Sequence, residues 1–167
     1  NPAGGLFIRG RNDEPVYGSL VNNTIAENGP YGIYSGWSNT GYITLTLTNN
    51  IISDHTTGIY AAQGSGPNVI TADYTLFYGN EYNVTGSSIT SDNEIKDLDP
   101  DFVNPDELDY HLWAGSPAID AGLTIPWLDT DIDGDPRPWP LGGAYDIGAD
   151  ETHWWQTFAP IILKNYD

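Results

Sequence analysis

The sequence predicts an all-β chain, a short parallel β-helix of about three to four coils closed by an irregular C-terminal cap. Three observations point there. A stretch of about 27 residues recurs through the first half, with Gly5 to Gly32 spaced by 27 residues and Gly32 to Gly58 by 26. Thr44-Leu45-Thr46-Leu47-Thr48 alternates polar and apolar residues with period two, the mark of a half-buried strand. Asparagines recur at one phase of the repeat, with Asn22 to Asn49 spaced by 27 residues. Fixed periods of 20–50 residues mean solenoids, propellers or arrays. A propeller blade needs about 40 residues and four strands. A leucine-rich repeat needs a denser leucine code. A coil of roughly 25 residues holding two or three strands fits a β-helix, in which coils stack about 4.8 Å apart.

In chain order, Gly5-Leu6-Phe7 opens the first coil, and Gly32-Ile33-Tyr34 and Gly58-Ile59-Tyr60 are its counterparts. This register stacks Leu6, Ile33 and Ile59 inside, with Val84 as a fourth member. It places Phe7, Tyr34 and Tyr60 in an aromatic column on the opposite face. A second phase runs through Leu20–Ile25, Leu47–Ile52 and Thr71–Leu76. It predicts an interior stack of Ile25, Ile52 and Leu76. It also predicts an asparagine ladder of Asn22, Asn49 and Asp73, or of Asn23 and Asn50. Sharp turns between strands leave backbone groups unpaired, and amide side chains satisfy them. The ladder is therefore read as structural rather than ligand-binding.

Composition changes near Ile89. Residues 1–91 hold six acids, whereas residues 92–151 hold sixteen, opposed only by Lys96 and Arg137. This divides the chain into coils over 1–91, an acidic cap over 92–153 and an apolar tail over 154–167. With 5 Lys and Arg against 23 Asp and Glu, the formal charge is -18. Nucleic acid is excluded as a partner, since phosphate contacts need a basic face. Anionic membrane surfaces are disfavoured too, and no apolar run is long enough to insert in a bilayer. No cysteine is present, so disulfide and thiolate chemistry are absent. Asn1-Pro2 is not a translation start, so the chain is read as a mature or trimmed product, compatible with export. Asn22-Asn23-Thr24 and Asn83-Val84-Thr85 are glycosylation sequons.

Within the cap, Ser116, Pro117 and Gly122 suit the start, first position and end of one helical turn over 116–121. Asp129, Asp131, Asp133 and Asp135 stand at alternate positions with Gly134 between the last two. Such a loop can turn several hard oxygens toward one Ca²⁺, which takes six to eight. The twelfth position is Pro140 rather than a bidentate glutamate, so the match to a calcium loop covers only its first half. A solvated Asp-Gly turn is the other reading. His55, His111 and His153 show no metal-ligand spacing and are expected to pack in loops. Twenty-three acids place carboxylate pairs together by chance, so no catalytic residue is assigned. Trp127, Trp139, Trp154 and Trp155 fall in or after the cap, either covering the solenoid or offering rings to sugars.

Several cap segments carry a family resemblance. Asp99-Pro100-Asp101-Phe102-Val103-Asn104-Pro105, Asp109-Tyr110-His111-Leu112 and Gly115-Ser116-Pro117-Ala118-Ile119-Asp120-Ala121-Gly122 are its first pieces. Asp131-Ile132-Asp133-Gly134-Asp135-Pro136-Arg137-Pro138 and Tyr145-Asp146-Ile147-Gly148-Ala149-Asp150-Glu151 continue it. Together they resemble the C-terminal end of secreted bacterial right-handed parallel β-helix proteins. The resemblance covers roughly residues 18–151. It implies a right-handed parallel β-helix, an extracellular or cell-surface location and a terminator without catalytic residues. The tail, Phe158 to Asn165, resembles the C-terminal ends of surface proteins from filamentous gliding bacteria.

The two ends frame the functional expectation. The chain enters a strand at Leu6-Phe7-Ile8, leaving a bare first coil as a template for another strand. Phe158, Ile161, Ile162 and Leu163 form an apolar, strand-like tail suited to adding to a sheet edge. An open head and an adhesive tail are heterologous surfaces whose repeated contact makes a fibre. The expectation is a non-enzymatic extracellular structural protein whose partners are copies of itself. The alternative is a carbohydrate-binding or polysaccharide-degrading β-helix module of a larger secreted protein, with surface glycans as partners.

Overall fold

The computed structural model describes residues 4–10, 14–27, 29–37, 41–64, 66–86 and 88–153. Its body is a right-handed parallel β-helix of four coils with three strands in each. The first coil holds β1 (Gly4–Gly10), β2 (Val16–Val21) and β3 (Thr24–Ala26). The second holds β4 (Tyr31–Trp37), β5 (Ile43–Thr48) and β6 (Ile51–Ser53). The third holds β7 (Thr57–Ala61), β8 (Asn68–Asp73) and β9 (Leu76–Tyr78). The fourth holds β10 (Tyr82–Gly86), β11 (Ile89–Asp92) and β12 (Ile95–Lys96), so the last coil closes at Lys96. Equivalent strands pair in parallel into three four-stranded sheets, ordered β1-β4-β7-β10, β2-β5-β8-β11 and β3-β6-β9-β12.

The expected first stack is in register. Leu6 pairs with Ile33, Ile33 with Ile59 and Ile59 with Val84. Phe7, Tyr34 and Tyr60 likewise align on the outer face. The alternation of β5 reads directly as burial, since Ile43, Leu45 and Leu47 point into the core. Gly32 shows why the repeat begins with glycine: a Cβ there would stand 2.7 Å from the Gly58 carbonyl oxygen and 2.9 Å from the His55 ring.

The second stack needs a correction. Ile25 pairs with Ile52, and Ile52 pairs with Phe77 rather than Leu76. Leu76 pairs with Ile51 and lies on the other face of the same sheet. The ladder shifts with it. Asp73 pairs with Thr48, and the place above Asn49 belongs to Tyr74. The turn itself sets this register. Asn22, Asn49, Tyr74 and Asn93 all adopt positive φ, at 50°, 56°, 48° and 49°. Counting from Asn49 to the chemically similar Asp73 places the third coil one residue off, and such a slip exchanges the two faces of a strand.

After the fourth coil come β13 (Phe102–Asn104), a single 3-10 turn (Pro105–Glu107) and β14 (Asp109–Leu112), with β13 and β14 antiparallel. The expected helical turn over 116–121 is instead a tight hydrogen-bonded turn. There the Ser116 hydroxyl accepts the Ala118 N–H and Asp120 adopts φ 55°. The left-handed Asp120 ends the turn before a helix can propagate.

Candidate functional site

The cap is a strap along the flank of the solenoid. The third sheet has apolar residues on both faces. Ile25, Ile52 and Phe77 fill the interior, while Ile51 and Leu76 face outward onto Leu112, Ala118 and Ile147 of the cap. The sequence reading placed a closing segment at the solenoid's end. The acidic segment lies on the flank because two-faced strands offer an apolar wall there.

Amides of the ladder hold the strap. Asn49 donates to Asn22 Oδ1 at 3.0 Å and to the Leu123 carbonyl at 2.7 Å, while its Oδ1 accepts the Leu123 N–H at 2.8 Å. Asn22 donates to the carbonyls of Asp146 and Gly148. Gly148 N–H returns a bond to the Asn49 carbonyl, and Ala149 N–H donates to Thr24 Oγ1. Asn23 and Asn50 form the second ladder, bonded directly at 3.0 Å. Asp73, outside both, accepts from the Asn93 amide in the next coil.

Behind the strap is a buried charge network. Arg137 pairs with Glu151 at 3.0 Å, both side chains essentially buried. Arg137 also donates to the carbonyls of Gly148 and Ala149. Glu151 accepts the N–H groups of Trp139 and Asp146, and Asp146 accepts those of Asp120 and Thr152. Burial pushes the Asp146, Asp150 and Glu151 carboxyls above their ordinary range, against the backbone bonds that lower them.

The predicted calcium loop does not gather its four carboxylates. Asp131 spends one oxygen on the N–H groups of Asp133 and Asp135 and the other on that of Glu151. Asp135 lies toward His153, 3.7 Å away. The Asp129 carbonyl accepts the Arg137 N–H. Asp133 reaches His111 Nε2 at 2.7 Å. Asp131 therefore organises the loop and Asp133 leaves it for another partner.

That partner is the feature missing from the sequence reading. Strand β14 presents His111 between Asp109, on Nδ1, and Asp133, on Nε2. These neighbours push its pKa up to about 9, with the Asp109 hydrogen bond the largest cause. Asp150 lies beside them with its Oδ2 accepting the Leu112 N–H at 2.8 Å. His55 packs as expected, bonded to the carbonyls of Gly29 and Ile25.

The aromatic column is continuous, with centroids 4.5 Å apart for Phe7 and Tyr34 and 5.2 Å for Tyr34 and Tyr60. Arg9 sits over the Phe7 ring at 5.2 Å. Trp127 is 71% exposed, whereas Trp139 lies on His153 at 4.7 Å. Leu6 and Ile8 of the first coil are partly buried against the core. Phe158, Ile161, Ile162 and Leu163, with Trp154 and Trp155, lie outside the described residues. Among the described residues, no helix is long and apolar enough to cross a membrane. Comparisons with protein-family models, curated proteins and solved structures found no match to this chain.

Proposed function

We propose that this chain is a non-enzymatic structural protein of the cell exterior that assembles head to tail, the fourth coil of one copy docking on the first coil of the next. The gradient along one stack carries the reading. Ile33 and Ile59 are fully buried, Leu6 is half-buried and Val84 is 40% exposed. Both ends of the core are therefore open among the described residues, because the cap occupies the flank. Strands β1, β2 and β3 pair on one side only, as do β10, β11 and β12. Each end combines unpaired backbone groups with apolar residues, and parallel docking would satisfy both at ordinary strand spacing. The two ends differ, so the contact is heterologous and propagates into a filament. The apolar tail over 154–167 would add a strand at the junction. The charge of -18 suits an acidic exterior that keeps free subunits soluble.

The carbohydrate alternative would rest on the exposed rings of Tyr17 and Trp127. Sedimentation velocity and electron microscopy of wild type and Val84→Lys test the assembly. The expected result is concentration-dependent linear oligomers for wild type and monomers for the variant, with equal far-UV circular dichroism. A wild type that stays monomeric at high concentration would sink the proposal.

A further inference from the structure

The strap also brings together three donors that the sequence keeps apart. His111, Asp133 and Asp150 each offer one ligand atom, and these atoms lie within 4.8 Å of one another. They come from β14, the aspartate loop and the segment closing the charge network. We infer that they form a binding site for one divalent transition ion of the zinc class, with Asp109 as a positioning residue.

Two observations beyond proximity support it. Asp150 is 7% exposed, and its carboxylate takes a single hydrogen bond, from the Leu112 N–H to Oδ2. Its Oδ1 accepts none among the described residues. Asp150 lines the same cavity as His111 and Asp133, where a cation can meet that oxygen. Second, Asp109 holds His111 Nδ1, which directs Nε2 at the other two donors. A carboxylate on the far ring nitrogen is the usual support of a metal-binding histidine.

The donor set selects the ion. One imidazole nitrogen and two carboxylate oxygens suit zinc, cobalt or manganese, whereas Ca²⁺ takes oxygen donors alone. Zinc holds such donors at about 2.0–2.2 Å, so the three atoms must shift by about an ångström, with the Nε2–Asp133 pair opening from 2.7 Å. Asp133 can move that far, being exposed and followed by Gly134 at φ 89°. On binding, the Nε2 proton leaves to solvent and its lone pair takes the metal in place of the Asp133 hydrogen bond. A cavity of about 250 Å³, also lined by Asp135 and His153, leaves room for water to complete the coordination.

Equilibrium dialysis of the full chain with Zn²⁺, Co²⁺ and Ca²⁺ is the experiment, with visible absorption of the cobalt form as a second readout. The expected result is one Zn²⁺ or Co²⁺ per chain. Binding should weaken by at least tenfold in His111→Gln, roughly tenfold in Asp109→Asn, and not at all in Asp99→Asn. His111 is partly exposed, so His111→Gln tests the site even where Asp150→Asn fails to fold. No stoichiometric uptake, uptake of Ca²⁺ alone, or Zn²⁺ binding unchanged in His111→Gln would overturn the inference.

Discussion

Asn49 and Asn22 are joined by a 3.0 Å hydrogen bond between side chains one coil apart, and both amides also reach the cap. The ladder thus performs two jobs. It satisfies the turns of the solenoid, and it fixes a strap lying across the turns. Replacing Asn49 with alanine leaves the Leu123 N–H and carbonyl without their partner and should cost about 2–3 kcal/mol. A urea midpoint measures the loss, and hydrogen exchange should show it first at the Leu123 amide. An unchanged midpoint would mean that the strap holds without the ladder.

Phe77, not Leu76, fills the third level of the interior stack and is fully buried. Phe77→Ala should cost about 3–5 kcal/mol through lost transfer energy and a residual cavity. Phe7→Ala, on the half-exposed aromatic column, should cost about 0.5–1.5 kcal/mol. Equilibrium denaturation of both variants tests the register, because equal losses would contradict the assigned faces.

Gly148 is where the strap comes closest to the solenoid. A Cβ there would stand 2.7 Å from Ile51 Cδ1 and 3.0 Å from Thr24 Oγ1, and its φ is 109°. Gly148→Ala should cost about 1–3 kcal/mol from backbone strain alone. Nuclear magnetic resonance should place the largest shift changes at Thr24, Ile51 and Asn49. Perturbation confined to residues 146–150 would argue against this contact.

The buried carboxylates fix the sign of a pH dependence. The folded-state pKa of Asp146 is raised by burial, and those of Asp150 and Glu151 move the same way. Between the ordinary carboxylate range and the raised values, the folded chain binds more protons than the unfolded chain. Stability therefore falls as pH rises through that window. Urea midpoints taken through the weakly acidic range should show the decline. Asp146→Asn should be less stable throughout, because its amide meets a backbone donor, and should flatten the slope. A slope left unchanged in Asp146→Asn would mean that Asp146 is not its source.

The solenoid was legible because its information is periodic. Each strand contacts the one a coil away, so the spacing of Leu6, Ile33 and Ile59, and of Phe7, Tyr34 and Tyr60, carries strand type, face and neighbour together. Where chemistry imitated period, the sequence misled: Asp73 resembles the asparagine that the ladder wants, but the left-handed turn falls on Tyr74. In the aspartate loop, spacing alone did not show the partners each carboxylate takes: Asp131 accepts the N–H groups of Asp133, Asp135 and Glu151, while Asp133 reaches His111.

The sequence by itself determined the coil, its period and its apolar interior, because those follow from alternation and from neighbours one repeat apart. Only the tertiary structure decided that the cap binds the flank of the solenoid. It alone brought His111 to Asp133 and Asp150, 22 and 39 residues away. The physical reason is that strap and solenoid meet through a surface without a repeat. No spacing along the chain encodes which residues of such a surface touch, and their contacts arise only when two apolar faces close on each other.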